Sequence, residues 1–249
     1  LHYTNHNYIN DFVANLKCIK WFYYHNITPS EYFKDYDKNL YEITKLGREN
    51  LVKYKNKFHR VLTPSKFNAN DLYDLGFKNI IIEPLPKDFE LLKIPHNEIL
   101  YEKFNDRVFN ILYVGRILPH KNYELLIDSY NCYKIKYNKK SRLLLPGAFD
   151  DESYKNKLFQ KIEKEKIEDV HFFGRIEQSD LNALFKVAHL FLCLSEHEGF
   201  GMPFIEALFF KLPIIALDRG AVSETLKGRG ILVKDADKNI ICEKIKEIA

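Results

Sequence analysis

The stretch HLFLCLSEHEGFGMPFIEALFFKLPIIAL, residues 189–217, decides the fold of this chain. It begins with a continuous apolar run, passes through a glycine-rich turn, and continues as a helix-like segment that Pro203 opens. It ends in a second apolar run. Continuous Ile, Leu, Val and Phe runs that alternate with helices are typical of a parallel sheet covered on both faces. The stretch therefore predicts a strand, a helix and a second strand of an α/β protein.

The same alternation extends toward both ends of the chain. Further strands are predicted at 18–25, 60–65, 79–86, 109–115, 142–147 and 170–174, with turns or helical patterns between them. A helix is predicted to open near Ser65 and to stop at Gly76, and Ser179 is a predicted N-cap of a later helix. Residues 84–107 show no sustained period and are predicted to be a connector. The pattern predicts two doubly wound Rossmann-like domains, at 1–107 (including the connector) and 108–249.

Composition narrows the classes of function. The 249 residues are 46% apolar, and the net charge of +4 is spread over 38 basic and 34 acidic residues. This balance argues against a nucleic-acid partner. No apolar run reaches the roughly 18 residues of a membrane span, and no signal-peptide pattern is visible. We expect a cytoplasmic protein, with lysine-rich segments at 34–57 and 155–166 that permit peripheral contact with the inner membrane face.

One loop carries two cations toward a helix start. VGRILPHKN (114–122) follows a strand and contains Arg116 and Lys121. Ligands of doubly wound sheets bind beyond the carboxyl ends of the strands. A bidentate guanidinium and a compact ammonium aimed at one point suit a diphosphate. The alternative is a solvated basic loop.

A second loop combines an anion-binding helix start with carboxylates. The backbone amides of Gly199 to Met202 precede a helix, where N–H groups and the helix dipole attract phosphate. Glu198 stands before the turn and Glu206 within the apolar helix. Two carboxylates so placed can accept hydrogen bonds from sugar hydroxyls on either side of a phosphate. A stabilising negative first turn would also explain Glu198, but hardly Glu206.

Several motifs in order carry a family resemblance. Residues 108–237 resemble the C-terminal, donor-binding half of a retaining glycosyltransferase of family 4, which has the GT-B architecture. The matching elements are GRILPHKN, HFFGRIEQSDLNALFKVAHLFLCLS, AVSETLKGRGILV and EGFGMPFIE, whose Glu198 and Glu206 form the family's E-x7-E pattern. The resemblance implies an α/β fold of the GT-B class, with two Rossmann-like domains that face each other across a cleft.

The resemblance also implies roles for individual residues. Arg116 and Lys121 would hold the nucleotide diphosphate and stabilise its departure, and Glu198 would position the transferred sugar. Glu206 would bind the ribose hydroxyls. The other implied substrate-binding residues are the backbone of Gly199, Phe200, Gly201, Met202 and Pro203 at the phosphate and sugar, and of Arg175 and Ile176 at the base.

The implied reaction is retaining transfer of a hexose-like sugar from a nucleotide-diphosphate sugar to an acceptor hydroxyl of a glycan or lipid-linked saccharide. The donor would be a co-substrate, and neither a metal nor another cofactor is expected.

The first domain matches the family less densely. FYYHNITP and RVLTPSKFNANDLYDLGFKNIIIEPLP resemble the second half of the acceptor domain, in which His25 would face the donor sugar. A single histidine at a strand end is more often structural, so both interpretations stay open. The family's first glycine-rich loop is absent and the chain ends in EKIKEIA, so we expect an incomplete N-terminal domain and a partial chain. Lys211 stands where the family usually has glycine.

Three alternatives compete with this interpretation. Asp35-Tyr36-Asp37 and Asp235-Ala236-Asp237 match the Asp-x-Asp spelling of metal-dependent transferases, although both lie in surface-like contexts. A GT-B-like sugar-nucleotide epimerase would keep the nucleotide site but needs additional acids and bases, which the motifs do not supply. A non-catalytic fragment would bind the nucleotide sugar without transferring it.

Overall fold

The computed structural model describes every residue from Leu1 to Ala249. Its contacts divide the chain into two compact units. Unit 1 comprises Leu1–Pro86, His197–Phe200 and Gly220–Thr225, and unit 2 comprises Lys87–Glu196, Gly201–Arg219 and Leu226–Ala249. These contacts group residues 87–107 with unit 2, and the predicted domain boundary at residue 107 stays a prediction.

Unit 1 contains a four-stranded parallel sheet whose strands lie in the order β1-β2-β3-β4. The strands are β1 (His2–Tyr3), β2 (Trp21–Tyr24), β3 (Arg60–Thr63) and β4 (Ile80–Ile82), connected in turn by α1 (Tyr8–Asn15), α2 (Lys38–Leu51) and α3 (Lys66–Asp74). Short 3-10 turns at Ser30–Phe33 and Val52–Tyr54 flank α2. The lysine-rich segment 34–57 thus contains α2 and the second of these turns, whereas β1 and α1 lie where no element is predicted.

Buried aromatic rings anchor the two-residue strand β1. The rings of Tyr3, Phe22 and Tyr54 are fully buried, and their centroids lie 5.3 to 6.0 Å apart. Such pairs contribute about 0.5–1.5 kcal/mol beyond their buried area. The Tyr3 hydroxyl donates to the Gly47 carbonyl at 2.7 Å, and the Tyr54 hydroxyl donates to Asp11 at 2.7 Å. The short edge strand is thus held by side-chain packing as well as by its ladder.

The ends of α3 follow their predicted residues. The Ser65 side chain accepts a hydrogen bond from the backbone N–H of Asn68 at 3.2 Å, as an N-cap does. Such a cap contributes about 1 kcal/mol. Gly76 lies just beyond the helix at φ +80°, a left-handed conformation that glycine adopts without a steric cost. Both predictions are confirmed.

A distant carboxylate of the same unit also holds the start of α3. Both oxygens of Glu224 accept from the backbone N–H of Lys66, at 2.7 and 2.8 Å, and one of them accepts from Phe67 at 3.3 Å. A carboxylate at a helix N-terminus satisfies backbone N–H groups that have no partner within the helix. The amino end of α3 therefore depends on residues far away in the sequence.

Unit 2 contains a six-stranded parallel sheet in the order β10-β9-β8-β5-β6-β7. The strands are β5 (Phe109–Leu112), β6 (Ser141–Pro146), β7 (Val170–Gly174), β8 (Leu190–Cys193), β9 (Ile214–Leu217) and β10 (Ile231–Val233). The helices of this unit are α4 (Glu98–Phe104), α5 (Tyr123–Lys136), α6 (Glu152–Lys164), α7 (Gln178–Val187), α8 (Met202–Phe209) and α10 (Lys238–Ile248). The helix α9 (Val222–Leu226) lies between β9 and β10 in the sequence and belongs mostly to unit 1. Every residue of β8 and β9 is buried, and the strand–helix–strand prediction for 189–217 is confirmed.

One local prediction in unit 2 is wrong, and one segment has more structure than its sequence indicates. The predicted connector at 84–107 contains a 3-10 turn at Glu90–Leu92 and the helix α4, whose seven residues are too few to show a sustained period. Ser179 does not cap α7, because the helix already begins at Gln178 after Glu177, whose side chain makes no capping bond. The Ser179 carbonyl instead accepts from the backbone N–H of Asn97 at 3.0 Å.

Lys211 keeps the left-handed turn that glycine usually makes. Its φ is +59°, which costs a non-glycine residue about 1 kcal/mol. The backbone N–H groups of Lys211 and Leu212 donate to the carbonyls of Leu208 and Ala207, at 3.1 and 3.0 Å. This pair of bonds is the Schellman arrangement that closes a helix C-terminus. The turn after α8 therefore keeps its shape without glycine.

Candidate active site

The strand order of unit 2 reverses beside β5. This strand pairs with β6 on one side and with β8 on the other, so the connections after β5 and β8 leave in opposite directions. Ligands of doubly wound sheets bind at such a reversal, beyond the carboxyl ends of the strands. Arg116 and Lys121 lie in the loop after β5, and Glu196 lies in the loop after β8. The fold thus directs the predicted cationic loop to the expected edge.

A cavity of about 490 Å³ opens among the carboxyl ends of β5, β6 and β7. Arg116, Arg175 and Ile176 all line it, so the structure brings together three residues predicted for the diphosphate and the base. Lys121 and Glu206 do not line this cavity. The convergence of Arg116, Lys121 and the amide end of α8 on one diphosphate stays a prediction.

Gly147 lets two strand ends meet at the wall of this cavity. A Cβ added to it would lie 1.8 Å from the carbonyl oxygen of Gly115, far inside van der Waals contact. The backbone N–H of Gly115 donates to the Pro146 carbonyl at 3.2 Å, and that of Gly147 donates to the Gly174 carbonyl at 2.8 Å. Backbone hydrogen bonds therefore join the carboxyl ends of β5, β6 and β7. They fix the position of the backbone just before Arg116.

Arg116 has a carboxylate partner that the sequence analysis missed. Its Nε donates to Asp150 Oδ2 at 2.6 Å, and 62% of the Arg116 side chain is exposed. Exposed ion pairs contribute only about 0–1 kcal/mol, so an anionic ligand can replace or join Asp150 at little cost. The strand-end rule applies equally to the loop after β6, and would have identified Asp150 had that loop been considered.

Glu196 joins the loop of Lys121 to the loop after β8. Lys121 is the last residue of a 3-10 turn that precedes α5. The backbone N–H of Glu196 donates to the His120 carbonyl at 2.9 Å, and its carboxylate accepts from Asn122 Nδ2 at 3.3 Å. Arg219 Nε donates to the same carboxylate at 3.0 Å. Glu196, for which no ligand role is predicted, therefore has a positioning role next to Lys121.

The predicted ribose-binding residue Glu206 lies on α8 and is buried, with 7% of its surface exposed. Met202 begins the helix and Pro203 occupies its first turn, as predicted. Gly201 precedes them in the left-handed conformation at φ +80°. Glu206 Oε1 pairs with the Nζ of Lys87, a residue with no predicted role. No local pattern links these two residues, so the sequence alone gives no signal for the pair.

The predicted sugar-binding residue Glu198 lies in a loop of unit 1. Its carbonyl accepts from the backbone N–H of Ala221 at 2.8 Å. A Cβ on Gly220 would lie 2.3 Å from the same oxygen, so this contact requires glycine there. Ser65 Oγ donates to the carbonyl of the next residue, Gly199, at 2.8 Å. The backbone of this loop is thereby fixed within unit 1, and the role of the Glu198 side chain stays a prediction.

His25 follows β2 and contacts a second histidine. The His25 Nε2 and the His2 Nδ1 lie 2.7 Å apart. Burial, and secondly the charge of His2, lower the pKa of His25, so its imidazole is neutral at neutral pH. A Cβ on Gly199 would lie 3.1 Å from the His25 carbonyl oxygen, which places the two backbones side by side in unit 1. The predicted role of His25 toward a donor sugar is compatible with this position and stays a prediction.

Both Asp-x-Asp motifs end in helix caps. Asp37 accepts from the backbone N–H of Leu40 at 2.9 Å at the start of α2. Asp237 accepts from the N–H groups of Ile240 and Asn239 at the start of α10, and these bonds lower its pKa. The chain contains no cluster of three His, Cys, Asp or Glu side chains that could hold a metal ion. The motifs therefore have a structural explanation in helix capping.

No helix of the chain is both long enough and apolar enough to cross a membrane.

Comparison with known sequences identifies a family. A family model described as "Glycosyl transferases group 1" matches residues 101–249. The O-antigen chain mannosyltransferase B of Escherichia coli is 26% identical over 137 residues, which cover 54% of this chain and 35% of that protein. The capsular polysaccharide biosynthesis glycosyltransferase CapM of Staphylococcus aureus is 30% identical over 202 residues, 76% of this chain and 49% of that protein. The chain thus spans no more than about half the length of these relatives.

Solved structures share the fold. The sucrose-phosphate synthase of Thermosynechococcus elongatus aligns with a TM-score of 0.78 at 19% identity, covering 96% of this chain and 60% of that one. Anabaena HepE, solved in complex with UDP-glucose, aligns with a TM-score of 0.72 at 19% identity, covering 96% and 65%. At these identities the likeness shows the fold alone. The predicted α/β fold of the GT-B class is confirmed.

Proposed function

The chain belongs to the glycosyl transferases group 1 family, and on that premise we propose that it transfers a hexose-like sugar from a nucleotide-diphosphate sugar to an acceptor hydroxyl. The observation that carries the proposal is the cavity of unit 2, which holds Arg116 together with Arg175 and Ile176 where the strand order reverses. In this arrangement the guanidinium meets the diphosphate while the backbone of the neighbouring loop meets the base.

Arg116 and Lys121 supply the charge that the reaction needs. As the bond to the sugar breaks, negative charge develops on the diphosphate. Positive groups that are already in place stabilise this developing charge more than they stabilise the bound nucleotide sugar. The Nε of Arg116 already binds Asp150, which orients the guanidinium and leaves its two terminal nitrogens for phosphate oxygens. Two positive groups can perform this role without a metal, and we propose that the reaction is metal-independent.

The carboxylates of the E-x7-E pattern bind hydroxyl groups. An ionised carboxylate accepts hydrogen bonds only, and hydroxyls are the donors that ribose and hexose offer. We propose that Glu206 binds the ribose and Glu198 the transferred sugar, as in the retaining enzymes of family 4. The motifs contain no enzyme nucleophile, so the acceptor hydroxyl would attack from the face of the departing diphosphate, whose oxygen takes the proton.

The names of relatives support the classes of substrate. One solved neighbour binds UDP-glucose, and curated relatives are named for O-antigen chains and capsular polysaccharide. We propose a nucleotide-sugar donor and a saccharide or lipid-linked saccharide acceptor. Peripheral contact with a membrane surface through lysine-rich helix faces would bring the enzyme to a lipid-linked acceptor.

The proposal is tested by binding followed by transfer. A thermal-shift screen with UDP, GDP, ADP and their hexose conjugates should raise the Tm for one nucleotide series, because ligands stabilise the state that binds them. The matching radiolabelled sugar is then offered to saccharide and lipid-linked acceptors, and the anomeric configuration of the product is read by NMR. Retention is expected. Binding without any product would favour the non-catalytic fragment, and absence of binding across all three series would refute the proposal.

A further inference from the structure

The segment from Lys87 to Asn97 is docked onto unit 2. The buried Asn182 of α7 donates from its side-chain nitrogen to the carbonyls of Leu91 and Ile94, at 3.1 and 3.2 Å. Leu92, between them, is 2% exposed. Hydrogen bonds from a buried side-chain amide to two backbone carbonyls hold a segment in one conformation, because breaking them would leave buried polar groups without partners. The segment is therefore a fixed part of unit 2.

The beginning of this segment lies against α8. The ring of Phe89 stacks on that of Phe209, with centroids 5.9 Å apart and planes at 30°. Phe209 is three residues after Glu206, on the neighbouring turn of the helix. Two residues before Phe89, the ammonium of Lys87 pairs with Glu206 Oε1. Lys87 thus contacts Glu206 from a segment whose position is fixed by contacts with both α7 and α8.

The pair is buried on both sides. The side chains of Lys87 and Glu206 are 14% and 9% exposed. A carboxylate in such a place needs an opposite charge, since an unpaired buried charge is strongly unfavourable. The ammonium contacts Oε1, whereas Oε2 accepts no hydrogen bond from the protein. Lys87 therefore fixes one oxygen of Glu206 and leaves the other as an acceptor.

We propose that Lys87 is a positioning residue for the nucleotide site. It keeps Glu206 in one rotamer, so that Oε2 accepts a hydrogen bond from a ribose hydroxyl of the donor. This inference rests on the proposed function, which assigns Glu206 to the ribose. It adds a residue outside the E-x7-E motif that controls the preference for ribonucleotides over 2′-deoxyribonucleotides.

The test compares ribose and deoxyribose ligands. UDP, GDP or ADP, whichever the wild type binds, and its 2′-deoxy form are titrated calorimetrically into wild type and Lys87→Met. The variant should raise the Kd of the ribonucleotide roughly tenfold and leave that of the 2′-deoxy form within about twofold, because a mispositioned charged acceptor loses its hydrogen bond. Lys87→Arg, which keeps the charge, should restore most of the preference.

Two further variants separate positioning from general damage. Lys93→Met removes an exposed cation of the same segment, whose partner is Glu90, and should leave both Kd values unchanged. In the Glu206→Gln background, Lys87→Met should have no additional effect on the ribonucleotide. The double variant leaves neither charge of the pair in place, so this comparison also serves if Lys87→Met alone does not fold.

Three results would overturn the inference. These are an unchanged ribose preference in Lys87→Met, tighter ribonucleotide binding, which would make Lys87 a competitor of the ribose, and an additional loss in the Glu206→Gln background. A wild type that binds none of the nucleotides refutes the proposed function itself. A wild type that binds and transfers, with a Lys87→Met variant indistinguishable from it, refutes this inference alone.

Discussion

The two sheets are built from the same parallel strands but are ordered differently. In unit 1 the strands lie in the order of the chain, whereas in unit 2 the order reverses beside β5. Without a reversal, consecutive connections all proceed in one direction, and no crevice opens between diverging loops. Although unit 1 has polar strand ends, the difference supports the proposed nucleotide site in unit 2.

The arginines of the two units show the same contrast. A cavity of about 530 Å³ in unit 1 is lined by Arg48, which forms a bidentate ion pair with Asp71 and also donates to the Tyr24 hydroxyl at 3.2 Å. Arg116 in unit 2 makes one bond to Asp150 through Nε. Hence the protein binds the Arg48 guanidinium through both terminal nitrogens and the Arg116 guanidinium through Nε alone.

The largest effect is expected from replacing each arginine by methionine. Arg116→Met should reduce turnover about 10²–10³-fold, because a donor to developing charge is lost. Its Tm should hardly change, since its ion pair is exposed. Arg48→Met should lower the free energy of unfolding by about 1–3 kcal/mol, because the mostly buried Asp71 loses its partner. Initial rates and thermal melts measure both, and equal losses of stability in the two variants would remove the contrast.

A smaller effect is expected where the strand ends of unit 2 touch. Gly147→Ala should destabilise the protein by about 1–3 kcal/mol through crowding against Gly115. Gly174→Ala is the matched control, since its φ is +67° but no atom lies within 4 Å of the added Cβ. It should cost about 1 kcal/mol from conformation alone. Thermal melts of both variants measure the loss of stability. An equal loss in Gly174→Ala and Gly147→Ala would show that crowding against Gly115 is unimportant.

The smallest effect is a pH dependence that both units share. Burial lowers the pKa values of His25 in unit 1 and His189 in unit 2. As pH falls below about 6.5, the unfolded chain binds protons that the folded imidazoles do not, so stability declines until the lowered pKa values are passed. The neutral His189 Nδ1 also accepts from the Asn110 N–H at 3.0 Å, a bond that protonation abolishes.

The matching measurement is the Tm between about pH 8 and pH 5. His25→Gln and His189→Gln should each reduce the decline. A Tm that rises on acidification in the wild type would contradict the assigned direction.

Much of the fold and part of the site could be predicted from the sequence. The strand–helix–strand unit at 189–217 was correct because strands buried on both faces are continuously apolar. The strand-end rule directed attention to the loops that carry Arg116 and Arg175, which the cavity unites. The helix start at Ser65 could be predicted because an N-cap depends only on the side chain and on backbone N–H groups within three residues of it.

Long-range partners and very short elements could not be predicted. Lys87 and Glu206 are 119 residues apart, and an ion pair leaves no period in the sequence. β1 has two residues, too few for alternation, and is held by the Tyr3 ring, whose contacts are tertiary. Asp150 differs from Lys87 and from β1 because it could have been predicted. The rule that ligands bind beyond the carboxyl ends of strands applies to the loop of Asp150 as it does to the loop of Arg116.

The carboxylate of Glu224 at the start of α3 has a consequence for how the protein is made. A chain emerging from the ribosome folds in order, from the amino end onward. Glu224 lies 158 residues after Lys66, so the amino end of α3 is made well before the carboxylate that its backbone N–H groups bind. Unit 1 therefore acquires these hydrogen bonds only after residues 220–225 have been synthesised, and a chain that stopped before them would lack the last segment of this unit.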